Sequence, residues 1–375
     1  MSGSGRTPVG PAGIERVEAR RILVRKPVVR IGLGPGARAL VGPGDRIEAG
    51  TPIAERTIDV EVVDAGKQPG PESVDREDAD SAAELPEGTP RSRRTPPEPG
   101  KWWVGGAERR GKPQAKNQAK KQITRVAGTL LYETHDRWRA AAGERHELVE
   151  SPVAGVVRQV RPMVDIALEA SGTGISAEIG AGDPSRGYLD VPRLADGELW
   201  ASALDVGKSG AVVVAGSRIS SQAISRARAV SIRGLIAGSI GEVELRDLAA
   251  SLSRQRAGFA SSVSFGLVAF DGYQRRVLAT PILALLTALA GQEVGIVTDP
   301  PMIVFAAETL PLPELAADWV RARSGPNAGR EGRWIESLGL RRFRSGMHLE
   351  AAAVRFGEDA DATIVPITDL ERFVY

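Results

Sequence analysis

The sequence predicts an α+β multi-domain protein: a β-sandwich split by an insert, a small α/β layer and a C-terminal β-barrel. Three observations predict it. Two glycine- and proline-punctuated β segments, residues 41–55 and 150–160, flank a long polar stretch. Between residues 205 and 298, apolar strand runs alternate with helical periods. The last stretch, from residue 316 on, is rich in arginine and returns to short strands with glycine corners.

Length and composition set the frame. A chain of 375 residues suits roughly two or three domains. The formal net charge of +2 gives no global field, so attraction to a polyanion must come from local clustering. The absence of cysteine excludes disulfides, thiolate nucleophiles and zinc–thiolate sites. His135, His146 and His348 are scattered without metal-ligand spacing. No cofactor is expected. Residues 1–13 lack the apolar run of a secretory leader. The most apolar run, residues 277–290, is shorter than the roughly 20 residues a spanning helix needs. The expectation is a cytoplasmic protein with no membrane insertion.

Residues 1–13 look like a loose tail. From Ile14 to residue 64, short β runs alternate with turns. Ile22-Leu23-Val24 and Val28-Val29-Arg30-Ile31 are strand candidates. Gly32-Leu33-Gly34-Pro35-Gly36 fits neither the dinucleotide nor the P-loop spacing and is taken as a turn. Gly44-Asp45 and Ala49-Gly50 are turn signals around a short alternating run, with Ile47 inward and Arg46 and Glu48 outward. Residues 65–122 change character: an acidic part with proline and serine precedes a basic part, and no apolar period recurs. Such a segment buries too little to offset chain entropy, so it is expected to be a disordered insert. Within it, Lys101-Trp102-Trp103 and Lys120-Lys121 combine cations with stackable rings, the pairing that single-stranded nucleic acid uses. The alternative is a solvated linker.

Residues 123–194 complete the split domain. Thr129-Leu130-Leu131-Tyr132 is a strand candidate, and His146-Glu147-Leu148-Val149 leads into Ser151-Pro152-Val153-Ala154-Gly155-Val156-Val157. Gly44-Asp45-Arg46-Ile47 through Ile53-Ala54, taken with this second segment, resembles the two halves of biotinyl/lipoyl-type barrel-sandwich hybrid domains. Such carrier domains present a modifiable lysine on a hairpin; here the hairpin reads Arg161-Pro162-Met163-Val164-Asp165, so a swinging-arm role is not implied. The alternative is two hairpins belonging to different sheets.

Residues 205–305 form the predicted α/β domain, with a Rossmann-like, mainly parallel sheet. Ala211-Val212-Val213-Val214, Gly234-Leu235-Ile236-Ala237, residues 265–270 and Val294-Gly295-Ile296-Val297 are its strands. Ser220-Ser221 caps one helix. Residues 242–256 form a second, with Val243, Leu245, Leu248 and Leu252 inward. Pro281 opens a third. Gly216 sits at a strand–helix junction, where amides favour an anion. The full glycine fingerprint is absent, so nucleotide or small-molecule binding is an alternative reading only. Asp299-Pro300-Pro301 is a candidate crevice lining at the carboxyl edge of the sheet, or a stiff exit from it.

In residues 316–375, the run from Trp319 to Trp334 carries Ser324-Gly325-Pro326, Gly329 and Gly332 between two extended segments. It resembles the KOW motif of SH3-like barrels in NusG-type transcription factors and ribosomal proteins. The resemblance implies an RNA or ribonucleoprotein partner. Arg321, Arg323, Arg330, Arg333, Arg341, Arg342 and Arg344 are the candidate phosphate contacts, with Trp334, Phe343 and Phe356 interleaved. The competing reading is a solubilising arginine shell around core aromatics. No nucleophile elbow or acid–base set stands out, which leans against an enzyme. The functional expectation is a non-enzymatic RNA-binding protein. The alternative from another class is a structural adaptor with protein partners, held through the sandwich domain.

Overall fold

The computed structural model describes residues 11–33, 37–58, 62–64, 130–134, 137–141, 145–193, 197–257 and 263–375. The charged insert, residues 65–122, with Lys101, Trp102, Trp103, Lys120 and Lys121, lies outside the described residues. The chain divides into two compact units, one of residues 1–56 with 147–375 and one of residues 57–146. In the second unit, Val62–Asp64 and Leu130–Thr134 flank Arg137–Ala141 in an antiparallel sheet.

In the first unit the two distant half-motifs pair directly. Arg46–Ile47 lies antiparallel to Gly155–Arg161, with Ile47 opposite Gly155. The Gly44 amide donates to the Val157 carbonyl at 2.8 Å, and the Val157 amide donates to the Asp45 carbonyl at 2.9 Å. Further along, the Gly50 amide donates to Ser151 and the Ser151 amide to Thr51. The sheet order is Val28–Gly32, Asp165–Ala170, Gly155–Arg161, Arg46–Ile47. Beside it stand Arg145–Glu150, Pro52–Ile58 and Arg38–Ala39. Ile31, Ile47, Ile53, Val157, Ile166 and Leu168 fill one shared core. Gly155 is required by close approach, since a Cβ there would lie 2.3 Å from the Glu169 carbonyl oxygen.

The central layer is larger and more mixed than expected. Its nine strands include four that lie before residue 205: Leu23–Arg25, Thr173–Ser176, Ile179–Gly182 and Ser185–Asp190. Ser185–Asp190, Ala211–Val214, Gly234–Ala237 and Gly266–Ala269 run parallel in that order. The other strands, including Glu293–Thr298 and Pro301–Phe305, attach antiparallel on the two flanks. The sheet is therefore mixed, not mainly parallel.

Helix α1 spans Ser221–Ala229, and the Ser220 hydroxyl accepts from the Ala223 amide at 3.2 Å. Helix α2 is Glu242–Ala257 and α3 is Thr280–Ala288. Val213, Leu235 and Leu267 face a core with Ile224, Leu248 and Leu252 of α1 and α2. Val212, Ile236 and Val268 face the opposite core with Ile282, Leu285 and Leu286 of α3. Burial of both faces explains the continuous apolar strands. Val243, expected inward, is 53 % exposed, because the buried stripe of α2 starts only after its first turn.

The C-terminal sheet corrects the barrel expectation. Its order is Glu18–Arg21, Leu370–Val374, Trp319–Ala322, Glu331–Arg342, His348–Phe356, Thr363–Pro366, and among the described residues no sheet closes on itself. The edge strand Glu18–Arg21 comes from the N-terminal segment and pairs parallel with Leu370–Val374. Its core is Ile14, Val17, Val320, Trp334, Val354, Phe356 and neighbours. Trp334 and Phe356 are thus core side chains, while Phe343 is half-buried.

Candidate nucleic-acid interface

The seven C-terminal arginines separate into three groups. Arg321 stands alone, at 1 % exposure. It lies between buried Val320 and Ala322 on a strand, so its side chain points to the opposite sheet face, toward the α/β layer. There its guanidinium grips both carboxylate oxygens of Asp271, with Nη2 at 2.9 Å from Oδ2. It also donates to Glu371 at 3.3 Å and to the Val277 carbonyl at 3.0 Å. Arg20 joins the cluster, donating to the Phe270 carbonyl at 2.6 Å and lying 3.5 Å from Asp271. Arg321 is therefore withdrawn as a phosphate contact: burial and a bidentate acid partner commit it to holding the sheets together. Burial works against its cation, but the hydrogen bond and charge of Asp271, aided by Glu371, overcome this and raise its pKa.

Burial likewise pushes the Glu371 carboxyl up, against the pull of Arg20 and Arg321. The folded chain then binds that proton more tightly than the unfolded chain does. The stability this group contributes is therefore full at acid pH and declines as pH rises from the ordinary carboxylate range through the raised value. Glu371→Gln removes this decline. Urea midpoints of both proteins across that window are expected to converge at low pH and to favour the variant as pH rises; a constant offset counts against the assignment.

Arg323 and Arg330 form the second group. Arg323 pairs with Glu18. Arg330 pairs with Asp359 at 2.6 Å and lies 5.1 Å above the Phe356 ring. Their charge is largely answered within the chain.

The third group, Arg333, Arg341, Arg342 and Arg344, is exposed on the hairpin of Glu331–Arg342 and His348–Phe356. These four make no ion pair among the described residues. Arg333 stands directly opposite Arg355, a like-charge pair on one face that costs stability unless an anion answers it. Arg355 was missed in the sequence, although its signal was there: one cation in the apolar run Ala351 to Phe356. Beyond Ala351, which pairs with Pro366, the two hairpin strands pair only with each other, and Glu350 accepts from Arg16 at 3.3 Å. Between Gly339 and Glu350 this projecting part holds three arginines, one histidine and a single carboxylate, Glu350, which pairs with Arg16. Its turn is closed by the Phe343 amide donating to Met347 at 2.9 Å, with Gly346 at φ 85°. Register shifts at Trp334/Glu336 and Ser337/Gly339 bend the hairpin along its length.

The glycines of the motif serve geometry. Gly325 and Gly329 take positive φ, and the turn that holds them is latched at its start by the Ser324 hydroxyl donating to Asp369 at 2.6 Å. A Cβ at Gly332 would meet the Arg355 carbonyl oxygen at 2.4 Å. Pro326 is exposed on this turn.

Elsewhere the candidate sites are occupied by the chain itself or differ in place. The Gly216 turn abuts Gly197 and accepts from the Leu278 amide at 2.6 Å, so its glycine answers a packing need. Asp299 follows a strand antiparallel to Ser185–Asp190, which places it at the amino edge of the parallel strands, not the carboxyl edge. It lines a cleft of about 230 Å³ with Arg30, Asp165, Asp183 and Arg256. Two of those acids are already paired, Asp183 with Arg256 at 2.5 Å and Asp165 with Arg161. Among the described residues no group of acids and histidines is arranged to hold a metal, and no helix is long and apolar enough to cross a membrane. Comparison with protein-family models, with curated proteins and with solved structures returns no match.

Proposed function

We propose that this chain is a binding protein that contacts RNA, alone or within a ribonucleoprotein, through its projecting C-terminal hairpin. The observation that carries this reading is the set of five exposed arginines, Arg333, Arg341, Arg342, Arg344 and Arg355, left without acid partners among the described residues on one element. Two exposed arginines in the loop between Trp319–Ala322 and Glu331–Arg342, Arg323 and Arg330, are paired, so charge in this region is otherwise answered locally. A surface kept merely soluble has no need to oppose Arg333 to Arg355, whereas a phosphate backbone repays that arrangement.

Filter binding of total RNA over a salt series tests it. Affinity is expected to fall steeply with salt, and Arg341→Ala/Arg342→Ala/Arg344→Ala to flatten the log–log slope by about 2, at roughly 0.7 per single-strand phosphate contact. Failure to retain RNA at low salt would remove the proposal. An adaptor role is the second reading, favoured by the exposed Leu340, Met347 and Ile364 of the same sheet. Nuclease-treated pull-down from lysate separates the two: partners that survive nuclease favour the adaptor.

A further inference from the structure

We infer that the hairpin takes unpaired nucleotides, not a continuous duplex; this rests on the proposed RNA-binding reading. The argument concerns what lies between the arginines. Leu340 is 70 % exposed and Met347 55 % exposed, flanking the turn that carries Phe343 and Arg344. Residues directly opposite on paired strands share a face. Arg342 and His348 are opposite, as are Leu340 and Glu350 one step along the same face. Arg341 is opposite Leu349 on the other face. Each face of the ribbon therefore sets a cation beside an apolar side chain.

A duplex backbone answers only half of that pattern. Its phosphates satisfy the guanidinium groups and leave Leu340 and Met347 in water. The major groove of A-form RNA is too narrow for side chains to read, and its shallow minor groove offers hydroxyls. The major groove of B-form DNA admits a two-stranded ribbon, but shows apolar surface only at thymine methyl groups. Unstacked bases present broad faces that arginine planes, an imidazole ring and aliphatic side chains all cover, beside phosphates that the same arginines neutralise. On one face the ribbon sets Leu340 two residues from Arg342, and on the other it sets Leu349 opposite Arg341, so both kinds of group lie side by side as a splayed strand requires.

The test uses the full chain and fluorescence anisotropy with three labelled probes: polyuridylate, the polyadenylate–polyuridylate duplex, and a mixed-sequence DNA duplex. Polyuridylate is expected to bind about ten-fold or more tighter than either duplex, the factor a single stacked base supplies. Leu340→Ser/Met347→Ser replaces two exposed side chains, so the fold is retained, which far-ultraviolet circular dichroism checks. That variant is expected to lose most of the preference for polyuridylate while keeping the salt slope. The triple arginine variant is expected to lose slope on all three probes. Equal affinity for strand and duplex, a preference for duplex DNA, or an unchanged preference in the Leu340/Met347 variant overturns this inference and leaves RNA binding standing. Absence of binding to every probe overturns both.

Discussion

Asp271→Ala lowers the unfolding free energy by about 3–5 kcal/mol, the usual consequence of leaving one partner of a buried ion pair alone. Arg321 has no route to water at 1 % exposure, and Asp271 supplies both oxygens of its bidentate contact. What remains is a single 3.3 Å contact to Glu371 and the Val277 carbonyl. Arg20 loses an acid 3.5 Å away as well. Equilibrium urea unfolding reads the loss as a lower midpoint, and added salt restores little of it because buried charges are weakly screened. Asp271→Leu with Arg321→Met removes both charges and is expected to recover most of the loss, since apolar replacement of a whole buried pair is often neutral. A loss in the single variant below about 1 kcal/mol, the value of an exposed pair, would show that water reaches the guanidinium.

Phe356→Ala is the second large effect, about 3–5 kcal/mol for truncating a buried phenylalanine. The ring is fully buried with Trp334, Val354 and Leu370, at the root of the basic hairpin. Arg330 loses the ring it covers at 5.1 Å, a smaller cost of about 0.5–1 kcal/mol at an exposed site. Phe356→Leu is expected to cost less than about 1.5 kcal/mol. The pair of variants also decides what the aromatics among the arginines are for. A core ring changes the thermal midpoint and leaves the salt slope of RNA binding intact in the folded protein. A stacking ring would lower affinity with no change in the midpoint.

Much of the local structure was legible in the residues. The four-residue apolar runs at Ala211 and Gly234 are strands, Ser220 caps α1, and Pro281 lies in the first turn of α3. These signals act over a few residues. The joining of residues 41–55 to 150–160 was readable because both segments carry their own turn signals. The pairing of distant edges was not. Nothing in Glu18–Arg21 announces that it lies beside Leu370–Val374, because strand pairing uses backbone groups that every sequence has. The site shows the same division. Exposed arginines on the hairpin were found by counting charges. Arg321 looked like one more, and its acid partners, Asp271 and Glu371, each lie 50 residues away. The only local hint was its place between Val320 and Ala322, two apolar neighbours that a surface strand also has.

The parallel pairing of Glu18–Arg21 with Leu370–Val374 has a consequence for biosynthesis. Glu18 leaves the ribosome 353 residues before its partner Glu371. At about 5–20 residues per second, that separation is roughly 20–70 s of translation. Throughout this interval the nascent chain carries an edge segment with no mate, and Glu18, Arg20 and Arg21 keep it charged against premature association. The sheet bearing the basic hairpin is thus completed only when Leu370–Val374 reaches back to a segment made 353 residues earlier.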